Sequence, residues 1–322
     1  MCKSLLERLN FSQHQSQCLD YMILTGPTGV GKSRAVIELT EAYPDVFEVI
    51  SVDAVQIYRG CDIGSAKPTH GERARIPYHL IDVCHVTDRY TAAQFVHDTI
   101  AIIASIRQRK RIALLSGGTF LYLQAFLEGL SPMPQVSALA QQQVTQILSS
   151  GMAVAYQTLE HVDPISAQYI HQNDRCRVER ALLIYYSSGK PISFWRAQPK
   201  ERRHAFNGLF SVILPNCRNE LKLRLSDRFN CMLTEGLIDE VRHLRSSVPT
   251  LNAQMPSMRA IGYRQVNAYL SNHCDYDTMR HDAVVATHRY LKRQLTWLRS
   301  MRGITHQYHG VEAWRREWLS GV

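Results

Sequence analysis

The sequence predicts an α/β protein: a parallel sheet core flanked by helices, carrying a mostly helical insertion. Three observations point there. Short apolar runs alternate with helical stretches, the pattern of strands joined by crossover helices. The first run, Tyr21-Met22-Ile23-Leu24, ends in a glycine-rich loop. Strand character vanishes across residues 136–200, which are rich in Gln, Ala, Arg and His, and returns afterwards.

The elements follow in order. Residues 1–18 read as an N-terminal extension. Tyr21–Leu24 is a buried parallel strand, because it is apolar throughout. A helix from Lys32 to about Tyr43 is closed by Pro44. Phe47–Val52 is a second strand and delivers Asp53 at its end, and Tyr78–Ile81 is a short one. Thr91–Arg109 is a helix with Phe95, Ile102, Ile103 and Ile106 as its apolar positions, and Arg111–Leu115 is a third clear strand running into Ser116-Gly117-Gly118-Thr119. After Pro134 the helical insert begins. Leu209–Leu214 resumes strand character, a helical run spans Glu220 to about Leu244, and a final helix covers about Asp282 to Arg299 with the stripe Val284, His288, Leu291, Leu295, Leu298. The expected division is therefore 19–134 with 206–322 as the core and 135–205 as the insert.

The chain is long enough, at 322 residues, for one large domain plus an insert. With 45% hydrophobic and 20% charged residues, global disorder is excluded. Lys and Arg number 37 against 28 Asp and Glu, so the formal charge is 37 − 28 = +9, a balance that suits a polyanionic partner and is also met in mildly basic soluble proteins. None of the eight cysteines sits at zinc-knuckle or redox-pair spacing, which reads as scattered thiols in a reducing compartment. The N-terminus is polar, with a Gln-rich stretch at Ser12–Gln17, and no apolar run approaches a membrane span. The expected compartment is the cytoplasm.

Gly26-Pro27-Thr28-Gly29-Val30-Gly31-Lys32-Ser33 has the P-loop pattern, and it lies between a strand and a helix, as that pattern requires. Its glycines let backbone N–H groups turn toward phosphate oxygens. The helix N-terminus adds partial positive charge, Lys32 a full one, and the Ser33 hydroxyl can hold Mg²⁺. The core is therefore expected to be P-loop NTPase-like. The loop by itself leaves the ligand open between a nucleotide and another diphosphate, and its default reading is a kinase or NTPase. In open α/β sheets ligands sit at the C-terminal strand ends, where the loop, Asp53 and Thr119 all fall. Asp53 at such an end is a candidate metal holder or catalytic base.

Several runs together carry a family resemblance. Asp53–Thr69, Pro77–Asp82, Ser116–Tyr122, Asn173–Ala181, Arg259–Gln265 and Lys292–Arg299 occur in order, and with the loop at Gly26–Ser33 they closely resemble the signatures of the tRNA dimethylallyltransferases, also called tRNA isopentenyltransferases. The resemblance runs from about Tyr21 to Arg299. It implies transfer of a dimethylallyl group from dimethylallyl diphosphate to the exocyclic N6 amine of the adenosine just 3′ of the anticodon, in tRNAs reading codons that begin with U, and a protein that is monomeric. The loop would then hold the donor's diphosphate. The resemblance places Asp53 as the base, Thr119 beside the leaving oxygen, and Asp53, Ala54, Val55, Gln56 and Thr119 at the target base. It gives the RNA to Gln141, Cys176, Arg177, Val178, Glu179 and Arg180 in the insert, and to Arg259, Ala260, Ile261, Gly262, Tyr263 and Arg264. Arg224 and Arg228 are further candidates for the diphosphate, although either alone fits a surface ion pair as well. Arg177 and Arg180, three apart, share a helix face.

Two departures stand out. The family usually has a serine where this chain has Ala54, so one hydroxyl is missing beside the base. Gly29-Val30 replaces a common Ala-Ser pair, which removes another hydroxyl from the loop. The rival readings are a P-loop small-molecule kinase and a non-catalytic RNA-binding module.

Overall fold

The computed structural model describes residues 19–200 and 204–319; the expected extension over 1–18 lies outside them. Two compact units are present, one formed by residues up to Gln124 with those from His204 onward, the other by 125–203. The expected first boundary lay after Pro134.

The first unit is built on a six-stranded sheet of order β3-β2-β4-β1-β5-β6, with every pair parallel. The strands are β1 Tyr21–Thr25, β2 Phe47–Val52, β3 Tyr78–His79, β4 Ile112–Gly117, β5 Gly208–Leu214 and β6 His306–His309. β1 and β2 are buried along their whole length, as expected of strands covered on both faces. Helix α1, Lys32–Ala42, packs one face through Ala35, Val36 and Leu39. α2 is the short His70–Arg75, and α3, Ala92–Gln108, buries Phe95, Val96, Ile103 and Ile106. α3 starts at a capping box, with the Thr91 hydroxyl accepting from Gln94 N–H and the Gln94 side chain accepting from Thr91 N–H. α4, Phe120–Glu128, follows β4 directly.

The second unit is all helical: α5 Ala138–Ser149, α6 Met152–Val162, α7 Pro164–Ala167, α8 Arg175–Ser188 and α9 Ile192–Ala197. Its own core gathers Val144, Leu159, Val178, Leu182 and Ile184. Buried Asp163 ties it together, accepting from Ser166 N–H, the Ser166 hydroxyl and Ser193 N–H.

The chain then returns to the first unit, where four helices lie between β5 and β6: α10 Arg218–Thr234, α11 Leu237–Ser247, α12 Tyr263–Leu270 and α13 Tyr276–Ser300. α14, Val311–Trp318, follows β6. Four expectations need correcting. The helical run from Glu220 to Leu244 is two helices, because Gly236 adopts φ 103° and ends the first path. The strand at Tyr78–Ile81 stops at His79, since Leu80 turns to φ 60° and Asp82 to φ 57°. The last long helix begins at Tyr276, where the Asp275 carboxylate caps Thr278 N–H at 2.8 Å. His288 is no core member of that helix; its Nε2 lies 3.1 Å from the Lys222 carbonyl. β6 and α14 were not foreseen. His-Gln-Tyr-His is too polar to read as a strand, yet Tyr308 is buried, and Trp314 and Trp318 cover the core beside α1.

Glu48 illustrates how the sheet holds charge away from the ligand end. It is 3% exposed on β2, and its carboxylate accepts from Arg109 at 2.7 and 2.8 Å and lies 2.8 Å from His79 Nε2. The Arg109 hydrogen bonds, opposed by burial, hold its pKa at about 2. A depressed carboxyl stabilises the fold above its unfolded value of ~4.3, and that stabilisation is lost as pH falls toward 2. Glu48→Gln should therefore lower Tm at pH 7 by roughly 2–8 °C. The gap to the parent should narrow below about pH 5, as read by circular-dichroism melts at several pH values.

Candidate active site

The C-terminal ends of β1, β2 and β4 open onto a cavity of about 640 Å³. β1 delivers the loop 26–33. Gly26 passes so close to β5 that a Cβ there would stand 2.3 Å from the Ile213 carbonyl oxygen. Gly31, at φ 104°, starts α1 in a conformation that favours glycine. Lys32 Nζ donates to the carbonyls of Gly26 and Pro27 at 2.9 and 2.8 Å. Ser33 is exposed and lines the cavity. Val30 faces away into the core, 3% exposed, so the residue in place of a loop serine serves packing.

β2 delivers Asp53. Its Oδ1 accepts from Val55 N–H at 2.8 Å and Gln56 N–H at 3.2 Å, which fixes the carboxylate's orientation and leaves Oδ2 without a partner among the described residues. β4 delivers Thr119. Its N–H donates to the Val52 carbonyl at 3.2 Å, and its hydroxyl oxygen accepts from Ala54 N–H at 3.1 Å. The hydroxyl hydrogen remains to be donated. Ala54 thus bridges Asp53 and Thr119 through its backbone, which does not need the missing serine hydroxyl.

Cations crowd one side. Arg224 is exposed at the cavity, and Arg228 lies deeper on the same face of α10. Burial and then the Arg228 charge push Lys32 down to about 7, while Asp53 pulls the other way. Burial likewise lowers Arg228, opposed by Asp53 and Glu235. Both cations are thus depressed by burial, and Lys32 also by the Arg228 charge, the pattern that an anion placed beside them would reverse. Val36, Val49, Leu225, Phe229 and Met232 supply apolar wall.

Most of the expected residues of the first unit meet here: Thr28, Gly29, Gly31, Lys32, Ser33, Asp53–Gln56, Thr119, Arg224, Arg228, Arg259, Ala260 and Ile261 all line the cavity. Gln56 is turned partly inward, its Oε1 accepting from the Ser51 hydroxyl and its Nε2 facing the carbonyls of Ser65 and Ala66. Two of the residues that the resemblance gives to the RNA have their side chains inside. Tyr263 is fully buried and donates its hydroxyl to Glu240 at 2.6 Å, and Val178 is fully buried in the insert core. Gly262 is the buried start of α12, and Arg264 is exposed just beyond it. In the insert, Gln141, Cys176, Arg177 and Arg180 are exposed, Glu179 is half-buried, and Arg177 pairs with Asp174.

Sequence reasoning missed Gln294, which is 2% exposed and reaches the phosphate loop from α13. The available signal was its place on the apolar stripe of Leu291, Leu295 and Leu298, where a polar residue has to find partners inside. It also missed Glu240, whose carboxylate gathers the N–H groups of Asp62, Ile63 and Gly64 and so secures the turn after Asp53–Gln56.

A parallel sheet whose strand ends carry a P-loop pattern, a fixed carboxylate, a hydroxyl with its hydrogen unspent and depressed cations defines an α/β protein of the P-loop NTPase-like class. The sequence profile of the IPP transferase family matches residues 56–301. A tRNA dimethylallyltransferase of Legionella pneumophila is 41% identical over 282 residues, 87% of this chain and 88% of that protein. One from Halorhodospira halophila is 42% identical over 281 residues, 86% and 89% of the two chains. The solved tRNA isopentenylpyrophosphate transferase of Bacillus halodurans superposes with a TM-score of 0.62 at 30% identity, covering 89% of each chain. A eukaryotic dimethylallyltransferase acting on tRNA does so with 0.73 at 26% identity, covering 92% of this chain and 76% of that one. The chain belongs to the IPP transferase family, the tRNA dimethylallyltransferases.

The depressed Lys32 has a measurable consequence. At pH 8, above its value of about 7, the amine is mainly neutral; an adjacent diphosphate raises that value, so binding takes up a proton. Calorimetry with inorganic diphosphate in two buffers of different ionisation enthalpy should show this uptake at pH 8, and less of it at pH 6, where Lys32 already carries its proton. Lys32→Met should abolish the part of the uptake that belongs to the lysine.

Proposed function

We propose that the protein transfers a dimethylallyl group from dimethylallyl diphosphate to N6 of the adenosine adjacent to the anticodon on its 3′ side, in tRNAs reading codons that begin with U. Diphosphate is released and N6-isopentenyladenosine is formed. The observation that carries this reading is the bridge from Asp53 through Ala54 N–H to Thr119, facing the phosphate loop across one cavity. It supports the reading because a carboxylate able to accept a proton and a hydroxyl able to donate one stand on adjoining strand ends.

The chemistry follows from what each group can do. The allylic C1–O bond breaks, its electron pair leaves with diphosphate, and positive charge builds on carbon. The loop's backbone amides, Lys32, Arg224 and Arg228 stabilise the departing anion, and the Thr119 hydroxyl donates to the oxygen that carries the new charge. The N6 lone pair is shared with the purine and so is weakly nucleophilic. Asp53 accepts the N6 proton as the N6–C1 bond forms, a contribution of ~10²–10⁴-fold. The apolar wall accommodates the prenyl group.

Among the described residues, no three His, Cys, Asp or Glu side chains gather as a metal site. A Mg²⁺ that keeps most of its waters and rides on substrate phosphates needs only one or two protein oxygens, so Ser33 Oγ, with the Asp53 carboxylate nearby, fits it. Bound there, it would neutralise charge on the diphosphate.

A stacked adenine cannot reach Asp53, so the base is flipped out at a cost of a few kcal/mol. Recognition then falls on unstacked bases and backbone phosphates, a task suited to Arg259 and Arg264 and to the insert's Gln141, Cys176, Arg177 and Arg180. The protein acts as a monomer in the cytoplasm, where its substrate is found; among the described residues no helix is long and apolar enough to cross a membrane.

Mass analysis of nucleosides from tRNA incubated with the protein and dimethylallyl diphosphate should reveal N6-isopentenyladenosine. Parallel incubation with γ-labelled ATP should transfer no label, and label entering product only from ATP would sink the proposal in favour of a kinase. Asp53→Ala should lower transfer by ~10²–10⁴-fold with tRNA still bound, and retained transfer would remove Asp53 as the base. Binding of tRNA should weaken roughly 10–100-fold between about 50 and 200 mM salt, and a flat response would count against the arginines as the RNA grip.

A further inference from the structure

The phosphate loop and the loop that carries Thr119 come from different strands, yet one side chain from a third element touches both. Gln294 on α13 accepts from Thr28 N–H through Oε1 at 2.9 Å and donates from Nε2 to the Gly118 carbonyl at 3.0 Å. Tyr290, one helical turn earlier, donates its hydroxyl to the same carbonyl at 3.2 Å, so both acceptor sites of that oxygen are used. Gly118 is shaped to this contact: a Cβ there would lie 2.6 Å from Gln294 Nε2. From Gly118 the chain continues to Thr119, whose hydroxyl takes Ala54 N–H beside Asp53. A line of hydrogen bonds therefore runs from the donor loop, through Gln294, to the group beside the acceptor's base.

The residue type suits the task. Both partners are backbone groups, one a donor and one an acceptor, and a neutral primary amide answers both at once. Asparagine is one methylene shorter. A glutamate would accept from Thr28 but face the Gly118 carbonyl with no proton to donate, and a lysine could not accept from Thr28. The amide is also dry, and in a buried site a satisfied hydrogen-bond pair holds its partners far more rigidly than it would in water.

We propose that Gln294 is a positioning residue for prenyl transfer: it sets the phosphate loop and the Thr119 loop in register, so that the donor's leaving oxygen arrives at the Thr119 hydroxyl. This rests on the prenyl-transfer reading above. Thr28 N–H is committed to Gln294 and not to phosphate, so the diphosphate is held by the rest of the loop and Lys32. Loss of Gln294 then spares donor affinity and spoils alignment.

The test is Gln294→Met, close in volume but unable to bridge, assayed with dimethylallyl diphosphate and tRNA. For a positioning residue kcat falls ~10²-fold, while the dissociation constants of inorganic diphosphate and of tRNA stay within roughly threefold of the parent. Gly118→Ala, which crowds the amide out from the other side, should show the same split. The double variant should fall little further than either single one, because both remove the same bridge. Retention of kcat in Gln294→Met overturns the inference. So do additive losses in the double variant, or a parallel loss of kcat, diphosphate affinity and Tm, which marks a merely structural residue. If Gln294→Met does not fold, Gly118→Ala carries the test alone by the same split. A parent enzyme that forms no isopentenyladenosine fails the reading on which all this rests, and is told apart by that fact.

Discussion

Three strand ends meet around Gly117. Thr25 of β1 pairs with it on one side and Val52 of β2 on the other. The approach is so close that a Cβ on Gly117 would lie 2.1 Å from the Val52 carbonyl oxygen, and the Thr25 hydroxyl donates to the Gly117 carbonyl at 2.6 Å. Each chain then leaves the sheet carrying one part of the site: the phosphate loop after β1, Asp53 after β2, Thr119 after β4. If the strands stood further apart, the Ala54–Thr119 hydrogen bond could not form, and the carboxylate and hydroxyl would belong to separate surfaces.

This convergence also explains the electrostatics. Parallel strands end together, so the helix that follows β1 aims its N-terminus into the same cavity. Lys32 and Arg228 are brought within range of each other and of Asp53, and burial depresses both cations. The other end of the sheet handles charge differently: the buried Glu48 carboxylate is answered locally by Arg109 and His79, so its charge contributes to stability.

Around the strand ends stands a collar that acts through backbone groups. Glu240 gathers three successive N–H groups after Cys61, and Lys67, buried, donates to the Tyr58 carbonyl and pairs with Asp62 and Asp82. Together they hold the turn against which Gln56 rests. Gln294 does the same for the loops after β1 and β4. These residues form a frame whose value is rigidity, and their side chains are spent on main-chain partners.

The legible parts of the molecule were those governed by local chemistry. An apolar run followed by Gly-x-x-x-x-Gly-Lys-Ser can be little other than a strand, a phosphate cradle and a helix, because the constraints act between near neighbours. Asp53 and Thr119 could be placed at strand ends for the same reason, and the insert could be read as helical from its lack of strand character. What stayed hidden depended on partners far away in the chain. His306–His309 becomes a strand only because β5 offers an edge to pair with, and Trp314 is buried only because α1 leaves room for it. Tyr263 lies in a motif that the resemblance gives to the RNA, and its enclosure by Glu240 and Gly64 depends on segments distant in the chain. Thr28 and Gln294 are 266 residues apart, and no local pattern can announce a hydrogen bond over that distance. The sequence by itself determined the phosphate loop and the kind of chemistry at each strand end; tertiary structure alone decided how those ends are aligned, because alignment is a property of buried contacts between elements that the chain does not bring together until it folds.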